Sequence, residues 1–439
     1  MAPARGLIIA APASGCGKTT LTLALLRAFR EAGTKVVSAK TGPDYIDPAF
    51  HAAASGQPCL NLDPWAMRPA LLSALARRLA EAGELLLIEG VMGLYDGAAD
   101  GRGSTADLAE RLNLPVVLVL DASAQAQSAA ALVQGFVAYR PSLRIAGVVL
   151  NRIGSPRHRE LIARALSPVG VPVIGSLPSD PALGRPDRHL GLVQAGEHAD
   201  LENFLARAAS CVAERMELSK LQALAAPLGA EVAAETLAAP IPPLGQRTAV
   251  ARDLAFGFAY PHVLDGWREA GAELSFFSPL ADEAPDPAAD AVYLPGGYPE
   301  LHAGRLAANR GFLEGLRTAA GSDTVIYGEC GGYMALGEGL VDAEGTRHAM
   351  AGLLPLETSF TDRRLHLGYR RALTTDRPLD GAYAGHEFHY ASVVREGDAD
   401  RLFALSDSEG HELPPAGLRR GRVFGSFVHL IDRDETERL

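Results

Sequence analysis

The nine residues PASGCGKTT, 12–20, follow the apolar run Leu7, Ile8, Ile9, Ala10, Ala11 and open onto LTLALL, 21–26. The order reads as a strand, a tight loop and a helix, the setting that a phosphate-binding loop requires. Gly15 and Gly17 let the backbone approach a polyphosphate, and the amides and dipole of the helix start attract it. Lys18 is placed to reach β and γ oxygens, Thr19 to hold a magnesium ion, and Thr20 continues the same turn. A glycine ordinarily stands five positions before Gly17; Pro12 stands there instead, so the motif is a variant. The alternative is a glycine-rich turn that binds nothing, and the strand-to-helix junction argues against it.

Outward from this loop, 439 residues with 48% apolar content are long for one domain and ample for two cores. A net charge of −11 without a compensating Lys/Arg cluster argues against a nucleic-acid partner. Cys16, Cys59, Cys211 and Cys330 lie far apart with no C-x-x-C pair, which predicts neither a zinc site nor a disulfide framework, and a reducing, cytoplasmic compartment. The first apolar run breaks after about five residues, short of a secretory leader. No run approaches a membrane span, so no membrane partner is expected.

A second strand, Lys35 to Lys40, leads into TGPDYIDP, 41–48. Asp44 and Asp47 past a strand end sit where doubly wound sheets place ligands; they serve magnesium or substrate, or cap the next helix. The run ELLLIEGVMGLYDG, 84–97, ends a buried strand in Glu89, placed as a second magnesium anchor, and carries Asp96 between glycines. Further strands over 114–120, 144–150 and 171–174 alternate with helical patterns such as 125–138, which predicts a parallel sheet covered on both faces. Arg157, His158 and Arg159 either meet phosphate or form a solvated helix start. Residues 175–192 read as a surface loop, and 197–224 as one helical stretch. The three prolines of AAPIPPLG, 238–245, cannot continue a helix or a central strand. The chemistry therefore divides into 1–237, a linker 238–246, and 247–439.

The second half restarts with strands over 248–251, 273–277, 291–294 and 324–327. In YGECGGYMAL, 327–336, a strand turns sharply into a helix around Cys330, which is nucleophile-elbow logic with a thiol that the helix start acidifies. An apolar strand in GSFVHL, 425–430, delivers His429 either as a base for Cys330 or as a satisfied core histidine, just as Cys330 itself is either a nucleophile or a buried structural cysteine; the two together with Gly296 and Gly297 favour the catalytic reading. Amides of Gly331 and Gly297 are oxyanion donors. His386 and His389 of HEFH compete as bases or as metal ligands, with no third ligand evident.

PASGCGKTT, KTGPDYIDP, EGVMGLYDG, AVARDLAFGF, YLPGGYPE, GECGGYMAL, GHEFHY and GSFVHL, in this order, resemble the cobyrinic/hydrogenobyrinic acid a,c-diamide synthases across almost the whole chain. The resemblance implies an α/β architecture: an N-terminal P-loop doubly wound parallel sheet similar to dethiobiotin synthetase, and a C-terminal class I glutamine amidotransferase domain. It implies ATP, glutamine and Mg²⁺, with a corrinoid small molecule as substrate, and is compatible with a homodimer. Gly15, Gly17, Lys18, Thr19 and Thr20 would bind ATP; Thr19, Glu89 and Asp47 the metal; Asp44, Tyr45 and Asp96 substrate or magnesium. Cys330 would be the nucleophile and His429 its activator. Many class I glutaminases carry a Glu two residues after this His; here Ile431 stands there, Asp432 is a poor stand-in, and the orienting group is unassigned.

Other readings fail on particular residues. A partition-type ATPase carries a second lysine where this chain has Ala13, and a degenerate glutaminase would have lost Cys330 or His429. A cobyric acid synthase amidates other side chains and is not expected to carry PDYIDP. The Ala- and Arg-rich composition points to a high-GC source and, with it, to metal-free hydrogenobyrinic acid, with cobyrinic acid as the alternative.

Overall fold

The computed structural model describes residues 4–180, 183, 200–229 and 239–435. The chain divides into two compact units, Met1–Trp65 with Pro69–Thr236, and Ala66–Arg68 with Leu237–Leu439.

In the first unit β1 (Arg5–Ala10) is buried along all but its first residue and runs into α1 (Lys18–Glu31). β2 (Val36–Thr41), α2 (Asp47–Ser55), β3 (Cys59–Leu62), β4 (Leu85–Glu89), β5 (Val116–Asp121), β6 (Ile145–Ile153) and β7 (Val173–Pro178) follow. The sheet order is β3-β2-β4-β1-β5-β6-β7, every pair parallel, and β8 (Ala226–Pro227) adds antiparallel to β1. Continuous Leu, Ile and Val runs are what parallel strands covered on both faces require. β1 therefore ends between β4 and β5, which puts the loop after β1 beside the carboxyl end of β4, where ligands of such sheets bind.

The helical stretch expected over 197–224 is two helices, Leu201–Arg215 and Leu218–Leu224. Met216 between them is extended and buried and forms an antiparallel bridge with Gly175, which draws it out of the helical path. Phe204, Leu205 and Val212 of the longer helix pack with Leu21, Leu25 and Phe29 of α1 in one core. The loop expected over 175–192 begins as β7, and residues 181–182 and 184–192 lie outside those described.

In the second unit β9 (Arg247–Ala251), β10 (Glu273–Phe277), β11 (Ala291–Leu294) and β12 (Val325–Glu329) form the parallel half of a ten-stranded sheet in the order β10-β9-β11-β12. Strand Val423–Ser426 pairs parallel with β12, and five antiparallel strands follow, ending with Gly381–His389 and, outermost, Val428–Arg433. The proline-rich stretch is fixed to this unit: Ile241 and Leu244 are buried, and Trp267 Nε1 donates to the Ile241 carbonyl at 3.1 Å. Among the described residues no helix is long and apolar enough to cross a membrane.

Candidate functional site

In the first unit, Gly15 (φ 80°) and Gly17 (φ 92°) take the left-handed conformation that an L side chain resists. The loop curls so that Lys18 Nζ donates to the carbonyls of Ala13 (3.3 Å) and Met92 (2.5 Å). Burial lowers the Lys18 pKa, opposed by the charge of Glu89. Thr19 Oγ1 donates to Glu89 Oε1 at 2.5 Å. Glu89 closes β4 with no exposed surface. Its remaining partners are cations: Lys40 Nζ lies 2.8 Å from Glu89 Oε1 and 2.8 Å from Asp47 Oδ2, and His51 Nε2 lies 2.6 Å from Glu89 Oε2. Burial opposes ionisation of Glu89, but Lys40 and His51 hold its pKa below the ordinary carboxylate range. Burial likewise disfavours the His51 imidazolium, yet Cys59 and Glu89 raise its pKa to about 10.

The Asp44 and Asp47 pair divides its work. Asp44 Oδ1 accepts the amides of Ile46 (2.7 Å) and Asp47 (3.0 Å) at the start of α2, whereas Asp47 faces Lys40. Burial, and then the charge of Asp47, push Asp44 up to about 6. A cavity of about 670 Å³ is lined by Gly15, Gly17, Lys18, Thr19, Thr20, Lys40, Asp44, Asp47, Glu89, Asn151 and Arg152. Among the described residues, Tyr45 and Asp96 do not line it. Asp96 is exposed and closes its own turn by accepting the Gly93 amide at 2.9 Å. The basic residues 157–159 form the start of helix Pro156–Leu166, capped by Ser155, with Arg157 and Arg159 exposed.

The donor set fits magnesium. Thr19, Asp44, Asp47 and Glu89 line the cavity with only oxygen ligands, as a hard cation prefers, and Lys40 already stands between Asp47 and Glu89. Sequence reasoning missed Lys40 and His51, and missed Asn151, whose Nδ2 donates to the Cys16 carbonyl at 2.9 Å. Lys40 opens the quoted KTGPDYIDP stretch, which was the available signal.

In the second unit Cys330 follows β12 with φ 47° and ψ −102°, a strained backbone for a residue with a side chain, and its amide donates to the Ser426 carbonyl at 2.8 Å. The helix after it, Gly331–Leu336, has six residues, all buried. A Cβ built on Gly331 would lie 2.9 Å from the Gly297 nitrogen, so the two glycines named as oxyanion donors are neighbours.

His429 on Val428–Arg433 is 1% exposed. Burial lowers its pKa, but Cys330 and Glu329 more than reverse this and bring it to about 9. His386 stands opposite His429 in the antiparallel register, and burial, then the charges of His429 and Arg370, depress it to about 3, so it is neutral. His389 is turned to other work: Nε2 meets Glu387 Oε1 at 3.0 Å, Nδ1 meets the Ala391 carbonyl at 3.0 Å, and the ring stacks on Phe427 at 3.9 Å.

His386 and His389 do not form the expected ligand pair: the group of possible ligands here is His366, Glu387 and His389, in which His386 has no part. The three do not fit an ion. The imidazoles of His366 and His389 are stacked 4.6 Å apart and 5° from parallel, so their in-plane lone pairs do not converge, and Arg370 already neutralises Glu387 at 2.7 Å. Asp432 is bound by Arg68, through the Arg68 amide at 2.8 Å and Nη2 at 3.0 Å.

Residues 7–193 match the CobQ/CobB/MinD/ParA nucleotide binding domain family, and 247–436 the CobB/CobQ-like glutamine amidotransferase domain family. A hydrogenobyrinate a,c-diamide synthase of Sinorhizobium sp. is 59% identical over 97% of this chain and 98% of its own. The corresponding proteins of Rhizobium meliloti (57%, 98% and 100% covered) and Mesorhizobium japonicum (52%, 98% and 99% covered) align end to end as well. With that extent of identity and both domain matches in the same order, the chain belongs to the hydrogenobyrinate a,c-diamide synthase family.

Proposed function

We infer that this protein amidates the a and c acetate carboxylates of hydrogenobyrinic acid, using ATP to activate each carboxylate and glutamine to supply ammonia. The observation that carries the reading is the pairing of a phosphate loop facing Glu89 and Asp47 with a second unit in which His429 supports a strained cysteine. Each half-reaction has its own buried charge pair. We assign 1–237 to synthesis, 238–246 to the connection and 247–439 to glutamine hydrolysis. Four free cysteines support a reducing, cytoplasmic setting.

In the second unit the Cys330 thiolate adds to the glutamine side-chain carboxamide, and Gly297 and Gly331 amides meet the oxyanion. The C–N bond breaks as His429 gives its proton to the leaving nitrogen, releasing ammonia and a glutamyl thioester. Water deprotonated by His429 then cleaves the thioester to glutamate and restores the thiol. In the first unit an acetate oxygen of the corrin attacks the γ-phosphorus, giving an acyl phosphate and ADP. Lys18 leaves its carbonyl partners to meet β and γ oxygens, and Lys40 neutralises the carboxylates around them. Thr19, Glu89 and Asp47 would hold magnesium, which supplies charge neutralisation on the phosphates. Ammonia displaces phosphate from the acyl carbon and leaves the amide.

The test is turnover of hydrogenobyrinic and cobyrinic acids by wild type and Cys330→Ala, each with glutamine or ammonium. The reading expects Cys330→Ala to be inactive with glutamine, near wild type with high ammonium, and the metal-free corrin to be preferred. Equal loss with both nitrogen sources in a folded variant would refute the division of labour, and preference for the cobalt corrin would refute the substrate.

A further inference from the structure

We propose that Glu329 is the acidic positioning residue of the glutamine-hydrolysing site, facing His429 Nδ1 and holding the imidazole with Nε2 toward Cys330. This rests on the reading of Cys330 and His429 as nucleophile and base, and it names the group that the sequence left unassigned.

Glu329 Oε2 lies 3.8 Å from His429 Nδ1, and both side chains are almost wholly buried. At that separation the contact is one of charge rather than a hydrogen bond. Three donors fix the carboxylate: Tyr327 Oη (2.9 Å) and the Leu430 amide (3.2 Å) on Oε1, and Tyr293 Oη (2.7 Å) on Oε2. The Leu430 amide belongs to the residue after His429, so the same carboxylate sets the backbone that carries the imidazole.

The competing positions are excluded by their surroundings. Ile431 is apolar and fully buried, and Asp432 is committed to Arg68. The titratable groups facing His429 are Glu329 and Cys330 at the elbow and His386 across the strand pair. His386 is neutral, so Glu329 is the negative charge available to balance an imidazolium while Cys330 is consumed as a thioester. Without that charge the imidazolium that must form on each proton transfer stands uncompensated in a buried site.

The experiment uses the full chain with Glu329→Gln, Glu329→Asp and Tyr293→Phe. It measures glutaminase kcat and KM from pH 6 to 10, iodoacetamide alkylation at Cys330 over the same range, and ammonium-driven amidation. Glu329→Gln should lose about 10- to 100-fold in kcat with KM within about threefold, and its alkylation profile should move to higher pH. Ammonium-driven amidation should not change. Glu329→Asp keeps the charge and should keep the wild-type pH profile at a reduced rate. Tyr293→Phe frees the oxygen that faces His429, so its profile should move to lower pH, an outcome readable even where Glu329→Gln fails to fold. Loss of kcat with unmoved profiles in Glu329→Gln and Tyr293→Phe would reduce Glu329 to a packing role and overturn the proposal. An unchanged kcat in Glu329→Gln would overturn it too. The underlying reading fails separately, if wild type does not hydrolyse glutamine or if His429→Ala leaves alkylation at Cys330 unaltered.

Discussion

Gly296→Ala tests the coupling of Cys330 and His429 without replacing either. A Cβ built on Gly296 would stand 3.3 Å from both His429 ring nitrogens and closer still to Cε1 between them, and its three nearest atoms all belong to that imidazole. Non-bonded carbons rest at about 3.5–4.0 Å, so the ring has to retreat by about 1 Å. No backbone atom blocks the methyl, so the fold should survive. The ring, 1% exposed, has no solvent to retreat into and must shift against its packed neighbours. A displacement of about 1 Å in a reacting group costs on the order of 100-fold in rate. Glutamine-dependent amidation and glutamate release should therefore both fall about 100-fold, while ammonium-driven amidation stays within about twofold and the melting temperature within a few degrees. Glutamate release within about threefold of wild type would show that the imidazole position next to Gly296 is not the one that works.

Lys18→Ala should lower amidation by about 100-fold or more with glutamine and with ammonium alike, because both depend on the phosphates it meets; parallel rates to wild type would dismiss the loop as a nucleotide site. His429→Ala should slow alkylation of Cys330 at pH 7 by about tenfold, while His386→Ala, which removes a neutral ring, should leave it near wild type; the reverse order would make His386 the base. His51 gives a stability signature. Its folded pKa, about 10, lies above the ordinary 6.5, so its contribution is complete below about pH 6.5 and disappears as pH rises toward 10. The urea-unfolding difference between wild type and His51→Gln should shrink over that window, and a difference independent of pH would mean that His51 is not held as an imidazolium.

How much of the fold is legible follows from what each strand buries. β11 is a short, wholly buried apolar run, and the sequence places its ends at Ala291–Leu294, where they lie; β10 also lies at the expected Glu273–Phe277, although only Phe277 of it is buried. Strands His366–Thr374 and Glu412–Arg420 carry no such signal: HLGYRRALT and ELPPAGLRR mix arginine, glycine and two prolines, and most of their residues keep some exposure. Their ladders come from pairing partners distant in sequence. The prolines at 414–415 fall where the register with Asp400–Ser406 shifts, between Phe403 and Leu405, an irregularity that spares the missing amide donors.

The same distinction separates the site residues that can be read from those that cannot. Gly15, Lys18 and Cys330 are placed by the local backbone, and spacing along the chain is enough to find them. Lys40 and His51 act by neutralising Glu89 across the sheet; in sequence, a lysine at a strand end and a histidine in a helix look like solvated groups. His366 meets His389 only through the antiparallel register of its strand with Gly381–His389. Glu329 is hidden by its own neighbour. Adjacent residues on a strand point to opposite faces, so strand periodicity assigns Glu329 and Cys330 to different environments. The left-handed turn at Cys330 breaks that alternation. It swings the thiol toward the strand carrying His429 while Glu329, still on β12, keeps the carboxylate that Tyr293, Tyr327 and the Leu430 amide fix. One strained dihedral thus brings two consecutive residues to one imidazole, a placement that no rule of strand or helix spacing contains.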